Sequence, residues 1–106
     1  DSPATLQYST GNDLAQSTGV KNLAYAVTND NDGSVSGTLH LFDPSSTTFV
    51  KHFIANSHAM VDDGGIQNTN FFVAGYCNTT TAIDGVQFKF DSGNIDAGTF
   101  KLYGVV

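Results

Sequence analysis

A chain of 106 residues with a formal net charge of −6 has room for one hydrophobic core and not two. All of its acid is Asp, it has no Glu, Arg or Trp, and its only cations besides histidine are four lysines. That balance cannot supply the cationic footprint that nucleic-acid backbones or anionic membrane surfaces require. One cysteine, Cys77, excludes an internal disulfide and reads as a small apolar residue of a strand. Ser, Thr, Asn and Gly stand where a helical protein would carry Glu, Lys and Arg. These residue types suit strands and turns, so composition alone points to an all-β chain.

Period-2 alternation bounded by turn residues runs from end to end. The first expected strand is residues 5–9. A polar loop over 10–19 follows, with room for one turn of helix. Residues 20–28 place Lys21, Leu23, Tyr25 and Val27 on one face. The Asp-rich turn 29–34 ends in an Asp-Gly step, a hairpin signal, before a strand over 35–42. There Val35, Leu39 and Leu41 oppose Ser36, Thr38 and His40. Asp43-Pro44-Ser45-Ser46 turns the chain, because Pro lacks the donor a ladder needs. Residues 48–56 set Phe49, Lys51 and Phe53 against Val50, His52 and Ile54.

The next turn is Val61-Asp62-Asp63-Gly64-Gly65, and a strand over 66–77 sets Phe71, Val73 and Cys77 against Phe72, Ala74 and Tyr76. After a break at 78–81, residues 83–90 alternate with Val86, Phe88 and Phe90 inward and Gln87 and Lys89 outward. Asp91-Ser92-Gly93-Asn94 turns, with Ile95 placed to plug the end of a sandwich. The last run, 98–106, alternates Phe100 and Leu102 with Thr99, Lys101 and Tyr103. Its apolar end requires burial in a sheet or against a partner. About seven strands with short connections is the spacing of a sandwich or barrel. No internal repeat, linker or membrane-length apolar run interrupts the chain, and its first residues lack the basic and apolar regions of a signal peptide.

Two stretches are more specific than composition. One is Gly33-Ser-Val-Ser-Gly-Thr-Leu-His-Leu-Phe-Asp-Pro-Ser-Ser-Thr-Thr-Phe-Val-Lys51. The other is Thr79-Thr-Thr-Ala-Ile-Asp-Gly-Val-Gln-Phe-Lys-Phe-Asp-Ser-Gly-Asn-Ile-Asp-Ala-Gly-Thr-Phe-Lys-Leu-Tyr-Gly104, preceded by Gly75-Tyr76. Together they resemble a C-terminal domain of structural proteins of tailed phages. The resemblance implies a jelly-roll-like fold, a virion, tail-fibre or head-surface location and no enzymatic role. It also implies additional strands upstream of residues 5–9, where this chain departs from the family pattern.

Candidate sites weigh lightly beside this. The run Thr28-Asn29-Asp30-Asn31-Asp32-Gly33 echoes the start of a calcium loop but lacks the acid seven residues after the glycine, and a plain turn is the simpler reading. Asp62-Asp63-Gly64-Gly65 reads the same way. His40, His52 and His58 have no metal-site spacing and fall at outward strand positions. No Gly-x-Ser-x-Gly elbow or catalytic carboxylate pair appears. Asn78-Thr79-Thr80 is a formal glycosylation sequon in a loop. Tyr8, Tyr25, Tyr76 and Tyr103 are the aromatics available to a glycan.

The expectation is therefore one domain over residues 1–106, the C-terminal part of a longer protein. Its fold is an all-β, jelly-roll-like antiparallel β-sandwich of about seven strands lacking N-terminal strands. It is expected to be a non-enzymatic phage virion protein, a fibre or surface-appendage domain that self-assembles, exposed on the virion surface or outside the cell. No catalytic, cofactor or metal site is expected. Its partners are copies of itself, with neither nucleic acid nor membrane insertion. Two alternatives stand beside this: a secreted filament subunit assembled by β-strand exchange, and a module that recognises host-surface glycans.

Overall fold

The computed structural model describes residues 6–105. Three strands form, β1 (Val35–Leu41), β2 (Lys51–Asp62) and β3 (Ile66–Cys77), joined in one open antiparallel sheet in the order β1-β2-β3. The only helical element among the described residues is a 3-10 turn at Thr10–Asn12, inside the polar loop. The chain is essentially all-β.

The β2–β3 hairpin organises the sheet. Asp62 stands opposite Ile66, so Asp63-Gly64-Gly65 makes the whole reversal. Such a tight loop needs backbone that L side chains rarely adopt. Gly64 and Gly65 supply it at φ +78° and +150°. The Gly65 N–H donates to Asp62 Oδ1 at 3.1 Å, which fixes the acidic side chain to its own turn. Beyond the turn the register is unbroken from Val61↔Gln67 to Lys51↔Cys77.

Alternation then decides what is covered. The odd-numbered β2 residues Lys51, Ala55, Ser57, Ala59 and Val61 are buried, while His52, Ile54, Asn56, His58 and Asp62 are exposed. The same parity holds in β3, where Phe71, Val73 and Cys77 are half-buried and Phe72, Ala74 and Tyr76 are exposed. β2 runs six residues beyond the expected end at Asn56. Small residues at 57 and 59 read as loop, yet they continue the inward row opposite Phe71 and Thr69.

Residues 20–28 do not form a strand. They cross the covered face, where Ser57 Oγ donates to the Leu23 carbonyl at 3.0 Å and Tyr25 meets Phe71 edge-on at 5.1 Å. Ala26 then adopts φ +51°, an unusual conformation for a residue with a Cβ. That kink delivers Val27 to the edge of β2 as a single bridge to Val61, flanked by Thr28 N–H to Met60 C=O (3.1 Å) and Asp62 N–H to Ala26 C=O (2.8 Å). Val27 and β1 both run antiparallel to β2 along the same edge. Residues 28–34 are therefore an excursion between two collinear pieces, and the expected hairpin at Asp32-Gly33 is absent. A tight turn does form there, with Gly33 N–H donating to Asp30 C=O at 2.9 Å.

The other expected strands are also not formed. Thr5 and Val106 lie outside the described residues; residues 6–9 pair with nothing in the sheet, and Leu6 is fully exposed. Residues 83–90 and 98–105 keep their alternation without a ladder. Val86, Phe88, Phe90 and Ile95, expected inside, are all exposed. Residues 84–105 instead form an arm folded back at Asp91-Ser92-Gly93, with Gly93 at φ +75° and the Phe88 and Phe100 rings stacked at 5.0 Å. No second sheet faces the first among the described residues.

The core is correspondingly small. Ala55, Ala59 and Val61 are its fully buried apolar side chains. The radius of gyration is 15.4 Å, where a compact chain of this length would have about 13 Å. Accessible surface reaches 8958 Å² against about 5,700 Å² for a compact monomer of 11.2 kDa.

Lys51 closes one end of the covered face. Fully buried, it donates from Nζ to the carbonyls of Phe49 (3.1 Å) and Thr79 (3.3 Å) and so ties the chain after β3 beneath the start of β2. Lys51→Ala would leave both carbonyls unpaired beside a void, at a cost of about 2–4 kcal/mol in chemical denaturation. Lys51→Met, which fills the space and removes the buried charge, is expected to cost less than Lys51→Ala; an equal or greater loss would contradict a filling role for the stem.

Candidate functional site

The uncovered face of the sheet holds all three histidines. His58 lies in a cross-strand row between Ser36 and Asn70, His40 stands opposite Ile54, and His52 stands opposite Tyr76. The His52 and Tyr76 rings are 5.9 Å apart, and His40 stacks on Phe42 at 6.5 Å. All three histidines are exposed; His58 lies on the part of β2 beyond the expected strand end at Asn56. No carboxylate shares these rows, so no acid–base pair arises from them. Among the described residues, no three His, Cys, Asp or Glu side chains gather closely enough to hold a metal ion.

The two Asp-rich turns are occupied with their own geometry. Asp62 accepts from Gly65, while Thr28 Oγ1 and the Asp30 carbonyl accept from Asp30 and Gly33 N–H groups. Cys77 is a free, half-buried thiol at the end of β3. The sequon residue Asn78 is exposed in the loop that follows. No described helix is long and apolar enough to cross a membrane.

The same face carries a shallow depression of about 250 Å³ lined by Ser36, Thr38, Asn56, His58 and Asn70. It is wide open and polar, unlike the enclosed apolar pockets that hold small molecules and cofactors. Exposed Phe72 adjoins it in the row Thr38–Asn56–Phe72, and Ile54 and Tyr76 continue the apolar surface along the sheet. Of the four tyrosines, Tyr8, Tyr76 and Tyr103 are exposed, whereas Tyr25 packs on Phe71.

The backbone offers a feature that side-chain alternation does not reveal. On the β1 side, β2 uses its even residues: His52 C=O accepts from Phe42, and Met60 N–H donates to Ser34 C=O. The odd β2 residues therefore point their backbone groups at β3, where they meet odd partners. It follows that Asn68, Asn70, Phe72, Ala74 and Tyr76 direct their N–H and C=O groups out of the sheet. That edge is long and contains neither a charged residue nor a proline, the usual devices that discourage a further strand. Composition of residues 66–77 was the available signal.

The Tyr8 phenol titrates above its ordinary range. Its hydroxyl donates to Asp13 Oδ2 at 2.8 Å, and this hydrogen bond, reinforced by the carboxylate charge, raises the phenol above its usual 10.0. A raised pKa means that the folded state favours the neutral phenol. The contribution is complete below pH 10.0 and is lost as pH rises through the elevated value. Asp13→Asn is expected to return part of the tyrosine absorbance titration to lower pH; a curve identical to the parent would contradict the pairing.

Compared with protein-family models, curated proteins and solved structures, the chain has no significant match in any of the three.

Proposed function

We propose that this chain is a non-enzymatic structural protein of a phage virion, a fibre or surface-appendage domain that self-assembles. The surplus of accessible surface, with large apolar side chains exposed within it, carries the reading. Roughly 3,300 Å² is accessible beyond what a compact monomer of this mass shows, a quantity of the order buried in obligate assemblies. Phe100, Leu102, Tyr103 and Val105 account for part of it, with Leu102 and Val105 almost wholly exposed. Large apolar side chains left exposed together mark an interface when they form one patch. The resemblance of the stretches at 33–51 and 79–104 to the tailed-phage domain supports the same assignment and a place on the virion surface or outside the cell. On this reading the jelly-roll sandwich is completed in the assembly, where alternating segments that lack a ladder in the single chain gain partners. A secreted filament subunit is the closest alternative and uses the same surfaces.

Glycan recognition is favoured by one observation, the polar depression beside exposed Phe72. Light scattering on the eluting peak of a sizing column should give a mass that is a multiple of 11.2 kDa. A purely monomeric peak would sink the assembly reading and the filament reading together. A glycan array probed with the same sample distinguishes the third, which requires a signal lost in Phe72→Ala.

A further inference from the structure

Resting on the self-assembly reading, we infer that the outer edge of β3 accepts residues 98–105 of a second copy as an added strand. Acceptor and donor are both present in each chain. The acceptor is a twelve-residue edge whose outward N–H and C=O groups, from Asn68 to Tyr76, have no partner strand in the sheet. The donor, residues 98–105, alternates Phe100 and Leu102 with Thr99, Lys101 and Tyr103, and no backbone–backbone hydrogen bond holds it among the described residues. Eight residues fit within the twelve of the edge. Added to β3, the donor can place Phe100 and Leu102 beside Phe71 and Val73 on the covered face, leaving Lys101 beside Phe72 on the open one. Because β3 carries no charge, Lys101 of the donor can approach it without a like-charge clash.

The path of the chain argues for a second copy as donor. After Cys77 the backbone turns away from the β3 edge: the Thr79 carbonyl is held by Lys51 of β2, and Ile83 N–H donates to the Pro44 carbonyl at 2.8 Å. Pro44 belongs to the β1–β2 connection, so the arm departs on the side of the sheet opposite its own β3 edge. To reach that edge it would have to cross back over the sheet. A neighbour meets no such obstacle, and the surplus of exposed surface is large enough to sustain an obligate contact.

Two measurements on the full chain decide it. Hydrogen exchange on the assembled protein should show Asn70, Phe72 and Ala74 amides protected, although none has a partner within its own sheet. Ala74→Pro removes an outward N–H without touching the β2–β3 ladder, so it should abolish the higher-mass species while far-ultraviolet dichroism retains the strand signal. Should the variant lose its strand signal, disulfide trapping substitutes for it. In a Cys77→Ser background, one chain carrying Phe72→Cys or Ala74→Cys is mixed with another carrying Lys101→Cys, and a covalent dimer joining the two kinds of chain is expected. Rapid exchange at the outward amides, or a covalent dimer between neither pair, would overturn the proposal even if the protein is oligomeric. A monomer would remove the self-assembly reading as well.

Discussion

Every ladder in this sheet passes through β2, the one strand with partners on both sides. Its odd residues face inward with their backbone groups toward β3, and its even residues face outward with theirs toward β1 and Val27. One short turn at Asp63-Gly64-Gly65 sets this register, and a one-residue slip would exchange the buried row for the histidine row. Ser57 and Lys51 depend on the same register. Each places a polar side chain on the covered face where a backbone carbonyl from a loop can accept from it. No buried side-chain nitrogen or oxygen among the described residues lacks a partner. The small core is thus fully satisfied in its polar groups while remaining poor in apolar ones.

That poverty links the fold to the proposed role. Three strands with one covered face bury little, and their inward β2 residues are mainly small. The larger apolar side chains sit elsewhere: Phe72, Tyr76 and Ile54 on the open face, and Phe88, Phe100 and Leu102 on the arm. In a protein that acts alone this distribution would be a liability. In a subunit of a larger structure it supplies the adhesive surface. The open β3 edge and the unladdered arm are two halves of the same incompleteness.

How much of this could be read in the residues differs from element to element. The bounds of β3 are visible because glycines at 64 and 65 and Asn78 frame an alternating, β-branched and aromatic run. On the arm facing misled, since Val86, Phe88, Phe90 and Ile95 read as inward and are exposed. In the strands that form it was legible, and the outward placement of His40 and His52 follows from parity. Pairing was not legible. Lys21, Leu23, Tyr25 and Val27 alternate as a strand would, yet Ala26 turns left-handed and the segment crosses the face instead. Alternation states which residues look the same way, and says nothing about whether the backbone between them finds a partner. The same gap explains residues 83–90 and 98–105. The outward hydrogen-bonding edge of β3 was hidden for a related reason, since backbone direction leaves no mark on side-chain pattern, and only the missing charge and proline hinted at it.

The claim that this chain completes its structure with copies of itself has a direct thermodynamic consequence. Folding coupled to association makes the unfolding midpoint depend on protein concentration. Thermal unfolding of the full chain, followed by far-ultraviolet dichroism over a hundredfold range of dilution, is therefore the most direct measurement. A midpoint that climbs steadily with concentration is expected. A midpoint that stays fixed across the whole range would contradict it.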